Sequence, residues 1–247
     1  MPIPLLLEIA VQSLETARAA ERGGAHRIEL CTQLDRGGTT PTVALQRDVR
    51  KAVQIPIHVL IRPRDGNFVY SNDEMETMKR QIESAKTNGM NGVVLGILNA
   101  DQSIDSQRTR ELVRHASPLP ATVHRAFDET PDIVQALDDV CSSGAARILS
   151  SGGAKNAVTG SAKLRDLVKM AGDRIVVMPG GGIRAENIAG VLRTAGAREF
   201  HSGLGTSWTT TLKMSRSSKT KSASSPPNSG KTHDSRHASV AAAVRLS

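Results

Sequence analysis

Residues 5–32 read LLLEIAVQSLETARAAERGGAHRIELCT, and they set a pattern that most of the chain repeats. The two ends of this stretch are short runs rich in Leu, Ile and Val, as expected of strands buried on both faces. The middle has helical spacing, opens at the capping residue Ser13 and ends at Gly23 and Gly24. A strand, a helix and a second strand in this order predict one parallel βαβ unit.

The same alternation continues to about residue 202. The predicted strands are Leu5–Val11, Arg27–Thr32, Ile57–Arg62, Gly92–Leu98, Ala121–Ala126, Arg147–Ser151, Arg174–Pro179 and Arg198–Ser202. The predicted helices are Ser13–Arg22, Thr42–Ala52, Asp73–Thr87, Asp105–His115, Asp132–Ser143, Ala162–Ala171 and Ala185–Thr194. Eight strands in strict alternation favour a closed TIM (β/α)8 barrel over an open doubly wound sheet.

A dinucleotide-binding fold would carry a Gly-x-Gly-x-x-Gly turn after the first strand. Here the chain continues after Val11 with Gln-Ser-Leu-Glu-Thr, which contains no glycine. The sequence therefore predicts a TIM barrel over residues 1–205, with residues 206–247 as a separate low-complexity tail.

The tail departs from the pattern of the barrel. It is dominated by Ser, Thr, Lys and Gly around Pro226-Pro227, which is typical of disorder. Residues 201–247 hold seven Lys and Arg against one acidic residue, so most of the net charge of +8 belongs there. The eighth helix is degraded or missing. Either the barrel closes incompletely or this C-terminus is aberrant, and the sequence leaves both alternatives open.

Composition excludes several classes of protein. No run approaches the roughly 18 apolar residues of a membrane helix, and the N-terminus has no secretory pattern. Aromatic residues make up 2% of the chain, too few for a stacking surface, so nucleic-acid binding is not favoured. The two cysteines, Cys31 and Cys141, cannot build a disulfide framework. We therefore expect a cytoplasmic protein.

Polar residues occupy inward positions of the predicted barrel, where Val, Ile and Leu are usual. Strand alternation and the ends of strands give six candidate catalytic residues: Glu8, Glu29, His58, Arg62, His124 and Asp128. Strand 8 adds His201 or Ser202, depending on its register. A carboxylate beside a histidine can relay protons, which predicts an acid–base site. The alternative is a structural polar plug in which Glu29 pairs with Arg62.

An anion site is predicted at the same end of the barrel. Gly180, Gly181 and Gly182 follow strand 7, while Ser202 and Gly203 end strand 8. Loops at these places hold phosphate on backbone N–H groups in many TIM barrels. Arg62 or Arg64 would bind the same anion. A tight turn alone, which needs one glycine, is the structural alternative. The predicted ligand is a small phosphorylated or carboxylated metabolite.

Several strings resemble the CutC family, which is named for copper homeostasis. They lie in order between residues 4 and 205 and include Gly24–Cys31 (GAHRIELC), Gly37–Thr42 (GGTTPT), Val123–Asp128 (VHRAFD), Val177–Gly182 (VMPGGG) and Glu199–His201 (EFH). The resemblance implies a cytoplasmic TIM-barrel protein that binds copper and is often a homo-oligomer.

The resemblance also implies a metal ligand at Cys31. In some relatives a second cysteine, two positions after the strand 1 glutamate, is proposed to bind Cu(I) with it, but this chain has Ala10 there. Cu(I) favours two or three thiolates or thioethers, so the residues alone give copper little support. Three hypotheses follow: a copper homeostasis protein using Cys31, an enzyme acting on a small anion, and an inactive scaffold whose basic tail binds an acidic partner.

Overall fold

The structure is a computed structural model that describes residues 5–203. Its eight strands are β1 (Leu6–Val11), β2 (Arg27–Leu30), β3 (Ile57–Leu60), β4 (Gly92–Leu95), β5 (Ala121–Val123), β6 (Arg147–Ser150), β7 (Val176–Pro179) and β8 (Glu199–Gly203). Parallel pairing runs in order from β7 down to β1, and β8 pairs with β1. This nearly closed sheet confirms the predicted (β/α)8 barrel.

Seven helices alternate with the strands, as predicted. They are α1 (Leu14–Arg22), α2 (Val43–Ala52), α3 (Asn72–Thr87), α4 (Ser106–Ala116), α5 (Ile133–Ser143), α6 (Ser161–Ala171) and α7 (Ile188–Ala195). Capping side chains fix several starts: Ser13 Oγ, for example, accepts from the N–H of Thr16. Helix α7 begins later than predicted because Asn187 Oδ1 accepts from the N–H of Arg184 and closes a turn there.

Strand β5 is shorter than predicted, because a 3₁₀ helix over Arg125–Glu129 follows it. His124 starts this helix, with its Nδ1 accepting the N–H of Ala126 at 3.1 Å. A second 3₁₀ helix covers Leu34–Arg36. The sequence analysis predicted neither, since such short helices carry too few residues for a recognisable apolar period.

The apolar residues form two separate cores. The large core lies between the outward faces of the strands and the helices, and its strand members include Ile9, Ile28, Val59, Val93 and Ile148. The small core lies on the inward face and consists of Cys31, Leu60 and Val94. Apart from apolar side chains such as Leu149 and Met178, the rest of the barrel interior is polar, because many inward positions of these strands hold charged residues or histidine.

Strands β7 and β8 lie side by side, although within residues 5–203 no ladder pairing joins them. Ser202 Oγ donates to the carbonyl of Ile183 at 2.7 Å and so ties β8 to the loop after β7. The predicted loss of the eighth helix and the predicted disorder of residues 206–247 fall outside the described residues. In the described part of the chain, no helix combines the length and apolarity needed to cross a membrane.

Candidate functional site

Glu8, in β1, is the centre of a buried ionic network. It pairs in register with Arg27 of β2 and His201 of β8, so all three side chains share the inward face. Glu8 Oε2 accepts from Arg27 Nε, and its Oε1 lies 2.8 Å from His201 Nδ1. Burial alone would raise the pKa of Glu8, but the His201 hydrogen bond and the Arg27 charge hold it far below its usual range. Glu8 is therefore ionised.

The network continues toward the N-terminal ends of the strands. Arg27 Nη2 and Arg147 Nε each donate to Glu199 Oε2 at 2.8 Å. All three residues begin their strands and point inward, so alternation could have identified them. Nevertheless, the ion pairs of these three residues were not predicted from the sequence. These pairs neutralise the floor of the barrel and hold Arg27 in place against Glu8.

Glu29 differs from Glu8, because its carboxylate has no hydrogen-bond partner in the part of the chain that the structure describes. Its Oε2 is buried and unpaired, 3.9 Å from His201 Nδ1. Burial raises the pKa of Glu29 to about 7; the nearby His201 opposes this rise and the charge of Glu8 adds to it. One ligand atom each from Glu8, Glu29 and His201 can be chosen so that all lie within 4.8 Å of one another. We call these three residues the interior triad.

The structural alternative of a Glu29–Arg62 pair is wrong. Arg62 lies at the rim, where Nη1 donates to the carbonyl of Gly38 and Nη2 to that of Gly66, both at 2.7 Å. Sequence alone could not show this, because both acceptors are backbone atoms of loops that only the fold brings to Arg62.

His58 completes the polar layer around Glu8. It lies opposite Gly92 in the register of β3 and β4, and its Nδ1 is 3.9 Å from Glu8 Oε2. Burial lowers the pKa of His58 to about 4, which outweighs the opposite effect of Glu8. The ring is thus neutral at pH 7 and occupies the space that a side chain at position 92 would need.

We therefore expect Gly92→Ala to destabilise the protein by about 1–3 kcal/mol, as overpacking does. An added Cβ would lie 2.5 Å from the His58 ring, which is buried and cannot move into solvent. Urea unfolding followed by circular dichroism measures this loss. Gly190→Ala is the control, since its Cβ in α7 meets no atom within 4 Å. Equal stabilities of the two variants would contradict this packing of His58 against Gly92.

Asp128 does not have the free carboxylate that the predicted catalytic role requires. It accepts from Ser150 Oγ at 2.5 Å, Ser151 N at 2.9 Å, Gly153 N at 3.0 Å and Arg125 Nε at 2.8 Å. Both oxygens are occupied, so Asp128 holds the loop after β6 in place. Asp128 lies in the 3₁₀ helix Arg125–Glu129, which places its carboxylate beside the loop after β6. This helix was not predicted from the sequence, so these hydrogen bonds could not be predicted either.

Arg64, predicted to bind an anion, instead organises its own loop. Its Nε donates to Glu74 Oε1 at 2.5 Å, Nη1 donates to the carbonyl of Asn67, and Nη2 donates to the carbonyl of Val69. These bonds brace the segment between β3 and α3. The guanidinium therefore bonds to protein acceptors, and the predicted role of Arg64 in anion binding stays a prediction.

Each glycine of the Gly180–Gly182 segment has its own structural reason. The backbone at Gly180 lies close to the side chains of Leu149 and His201. A Cβ there would collide with Leu149 and crowd His201, so only glycine fits. Gly181 and Gly182 have φ of +88° and +77°, a region that favours glycine. The predicted anion site at these three residues stays a prediction, because the loop geometry by itself explains them.

The register of β8 resolves the choice between His201 and Ser202. His201 faces inward beside Glu8, whereas Ser202 Oγ bonds to the loop after β7. Gly203 is the last residue of β8 and pairs with Ala10. The predicted role of Ser202 and Gly203 in anion binding stays a prediction.

Cys31, the predicted metal ligand, is fully buried below the rim in the small core. Its Sγ donates to the carbonyl of Val11 at 3.5 Å. Burial, and then the charge of Glu29, raises the pKa of the Cys31 thiol well above its usual range. Because the thiolate is the form that binds metals, this environment opposes ligation. Cys141 is also free and lies on the outer helix α5.

Comparisons with known proteins identify the family. The CutC family model matches residues 5–206. The copper homeostasis protein cutC homolog of Homo sapiens is 46% identical over 196 residues, which cover 79% of this chain and 72% of the human protein. The homolog of Mus musculus is 45% identical over 213 residues, covering 86% and 78%.

Solved structures agree with the sequence comparisons. The crystal structure of a copper homeostasis protein CutC from Streptococcus agalactiae aligns with a TM-score of 0.77 and 31% identity, covering 80% of this chain and 98% of that one. A protein described as an aldolase aligns with a TM-score of 0.61 at 16% identity, which reflects the barrel fold alone. The chain therefore belongs to the CutC family.

Proposed function

We propose that this protein binds a copper ion inside its barrel, through Glu8, Glu29 and His201. The relatives named above are called copper homeostasis proteins, which makes copper the ion to consider first. One observation supports the position most strongly: Glu29 Oε2 is a buried carboxylate oxygen inside the interior triad, and it accepts no hydrogen bond from residues 5–203. In a folded protein such an atom is costly unless it binds something.

The donor atoms of the interior triad suit Cu(II). Imidazole nitrogen and carboxylate oxygen favour divalent copper, whereas Cu(I) favours thiolate and thioether sulfur. Bonds of about 2 Å place two ligands of one ion about 3–4 Å apart, and the triad atoms lie within 4.8 Å of one another. Among first-row divalent ions, Cu(II) binds nitrogen and oxygen sites most tightly. In this proposal copper is the cargo that the protein handles, not a resident cofactor.

Arg27 supports this arrangement without competing for the ion. It binds Glu8 Oε2, which leaves Oε1 directed at His201. Arg27 is itself held by Glu199 at the floor of the barrel. Partners that orient a ligand in this way commonly raise metal affinity 10- to 100-fold.

Cu(I) binding through Cys31, the role implied by the resemblance, has less support. The described residues contain one group of three His, Cys, Asp or Glu side chains close enough to share an ion, and Cys31 is not in it. Its thiol is neutral and hydrogen-bonded to Val11. The cytoplasmic location and homo-oligomeric state implied by the resemblance also stay predictions.

A competition titration of the purified full chain with Cu(II) tests the proposal. Wild-type protein, Glu29→Gln and Cys31→Ser are titrated against a chromophoric chelator. We expect Glu29→Gln, nearly isosteric but uncharged, to weaken binding of the first equivalent by about 100-fold, and Cys31→Ser to bind like wild type. Copper binding by histidines outside the interior triad adds the same background to all three. Unchanged affinity in Glu29→Gln, or loss confined to Cys31→Ser, would refute the proposal.

Ala10→Cys is expected to create the Cu(I) site that this chain lacks. Ala10 is buried and points inward, on the strand next to Cys31. Two neighbouring thiols supply the soft ligands that Cu(I) needs, so we expect at least about tenfold tighter Cu(I) binding than in wild type. A Cu(I) titration with a competing chelator measures it. The gain in Cu(I) affinity should vanish in the double variant Ala10→Cys, Cys31→Ser. A gain that persists in the double variant would show that it does not come from a pair of thiols at positions 10 and 31.

A second candidate function is acid–base chemistry on a small anionic metabolite. With a pKa of about 7, Glu29 can gain or lose a proton near neutral pH, as a general acid or base must. Thermal-shift measurements with phosphorylated and carboxylated metabolites, in the presence of a metal chelator, test this function. Stabilisation by a metabolite that Glu29→Gln abolishes would support it, and no stabilisation by any of them would count against it.

A further inference from the structure

Two buried N–H groups at the C-terminal end of the barrel have no hydrogen-bond acceptor among residues 5–203. They are Arg62 Nε and His124 Nε2, and the two side chains are 5% and 7% exposed. His124 Nδ1 accepts the N–H of Ala126 at 3.1 Å, so the neutral ring carries its proton on Nε2. Both nitrogens are therefore donors. Leaving a buried donor unpaired costs about 1–3 kcal/mol, which calls for an acceptor that binds there.

Arg62 also lacks a counter-ion. Its guanidinium bonds to backbone carbonyls, and no ion pair of Arg62 occurs among residues 5–203. A buried cation is costly unless an anion compensates it. His124 remains uncharged beside it, because burial and the positive charge of Arg62 lower its pKa to about 3. The pair thus presents one positive charge and two N–H donors, the features that recognise an oxyanion.

Phe68 connects the two donors. Its ring centroid is 4.8 Å from that of His124, and the guanidinium carbon of Arg62 lies 4.9 Å from the Phe68 centroid. Phe68 is half-buried in the loop between β3 and α3. Since water does not reach either nitrogen, the ring acts as a cover over both.

Glycines make room for these side chains. A Cβ at Gly96 would lie 2.5 Å from the His124 ring, and a Cβ at Gly37 would lie 3.2 Å from Arg62 Nη1. Gly37 also has a φ of +83°, which disfavours any other residue. The backbone therefore holds both donors in fixed positions. The Phe68 backbone is fixed as well, since Leu98 N donates to its carbonyl at 2.9 Å, so a ligand has to displace only the Phe68 ring.

We propose that Arg62 and His124 form a binding site for a small oxyanion, a carboxylate or a phosphate group, which Phe68 covers when the site is empty. The ligand displaces the Phe68 ring, accepts hydrogen bonds from Arg62 Nε and His124 Nε2, and neutralises the Arg62 charge. His124 acts in this site as a neutral donor, in place of the acid–base role predicted from sequence. Neither residue belongs to the interior triad, so oxyanion binding and copper binding can fail independently.

Calorimetric titration with inorganic phosphate and with acetate tests this site. Phe68→Ala removes the cover, so we expect it to bind one of the two anions at least about tenfold more tightly than wild type. Phe68→Leu keeps an apolar cover and should bind like wild type. In the Phe68→Ala background, His124→Phe should lose the gain. The anion that binds more tightly identifies the class of ligand.

Nuclear magnetic resonance of the His124 Nε2–H signal adds a measurement on the wild-type protein. Saturating anion should shift this signal downfield through the new hydrogen bond, whether or not every variant folds. The proposal is overturned if Phe68→Ala binds neither anion more tightly than wild type, if His124→Phe retains the gain, or if the Nε2–H signal does not respond to either anion.

Discussion

Replacing Glu8 by alanine is expected to lower the free energy of unfolding by about 3–5 kcal/mol, the usual cost of removing one partner of a buried ion pair. Glu8 is completely buried, and Arg27 is only 3% exposed. Without the carboxylate, Arg27 Nε and His201 Nδ1 both lose their acceptor inside the barrel. Urea unfolding of the variant and of wild type, followed by circular dichroism, measures the difference.

Glu29→Ala provides the matched control for this loss. Both glutamates are buried on inward positions of neighbouring strands, but Glu29 has no hydrogen-bond partner to leave behind. We expect its replacement to cost about 1 kcal/mol or less, because the desolvation of an unpaired carboxyl group is relieved at the same time. If the two variants lose equal stability, the different roles assigned to these glutamates are wrong.

Acid is expected to destabilise the protein through His124. Its pKa is about 3 in the folded state and about 6.5 in an unfolded chain. Below pH 6.5 the unfolded chain therefore binds a proton that the folded protein excludes, so stability falls as the pH falls from 6.5 toward 3. Between pH 7 and pH 4 this single group accounts for a loss of about 3 kcal/mol, at about 1.4 kcal/mol for each unit of pKa difference.

The His124→Gln variant tests this dependence. Urea unfolding at pH 7, 5.5 and 4 should show a loss of stability that is about 3 kcal/mol smaller than in wild type. His58 contributes a loss in the same direction, since burial also lowers its pKa, and this part should persist in the variant. Identical profiles for His124→Gln and wild type would contradict the prediction.

Most of the fold could be predicted because its signal is local. Most strands of residues 5–203 carry Leu, Ile, Val or Phe at their outward positions, and each helix shows its own apolar period. Alternation also predicted that Glu8, Glu29 and His58 share the inward face, since side chains in a strand repeat every second residue. The predicted strands β2, β3, β4 and β5 run two or three residues past their observed ends. At β5 a hydrogen bond from Ala126 N to His124 Nδ1 ends the strand.

The partners of the site residues could not be predicted in the same way. Asp128 and the two Nη atoms of Arg62 bond to atoms of loops that approach them only in the folded barrel, and many of these atoms belong to the backbone. The residue type of Asp128 therefore suggested a catalytic role. In the structure its carboxylate accepts hydrogen bonds from the loop after β6 and holds that loop in place. The cover provided by Phe68 leaves no pattern in sequence, because it depends on the path of a loop.

The most direct test of copper binding in the interior triad is electron paramagnetic resonance of the protein loaded with one equivalent of Cu(II). We predict a spectrum with coupling to a single nitrogen, from His201, and with oxygen as the remaining protein ligands. It should be unchanged in Cys31→Ser. In Glu29→Gln, which loses one carboxylate ligand, the spectrum should change to that of a different ligand set or of free Cu(II). A spectrum that is unchanged in Glu29→Gln, or that disappears in Cys31→Ser, would contradict copper binding by Glu8, Glu29 and His201.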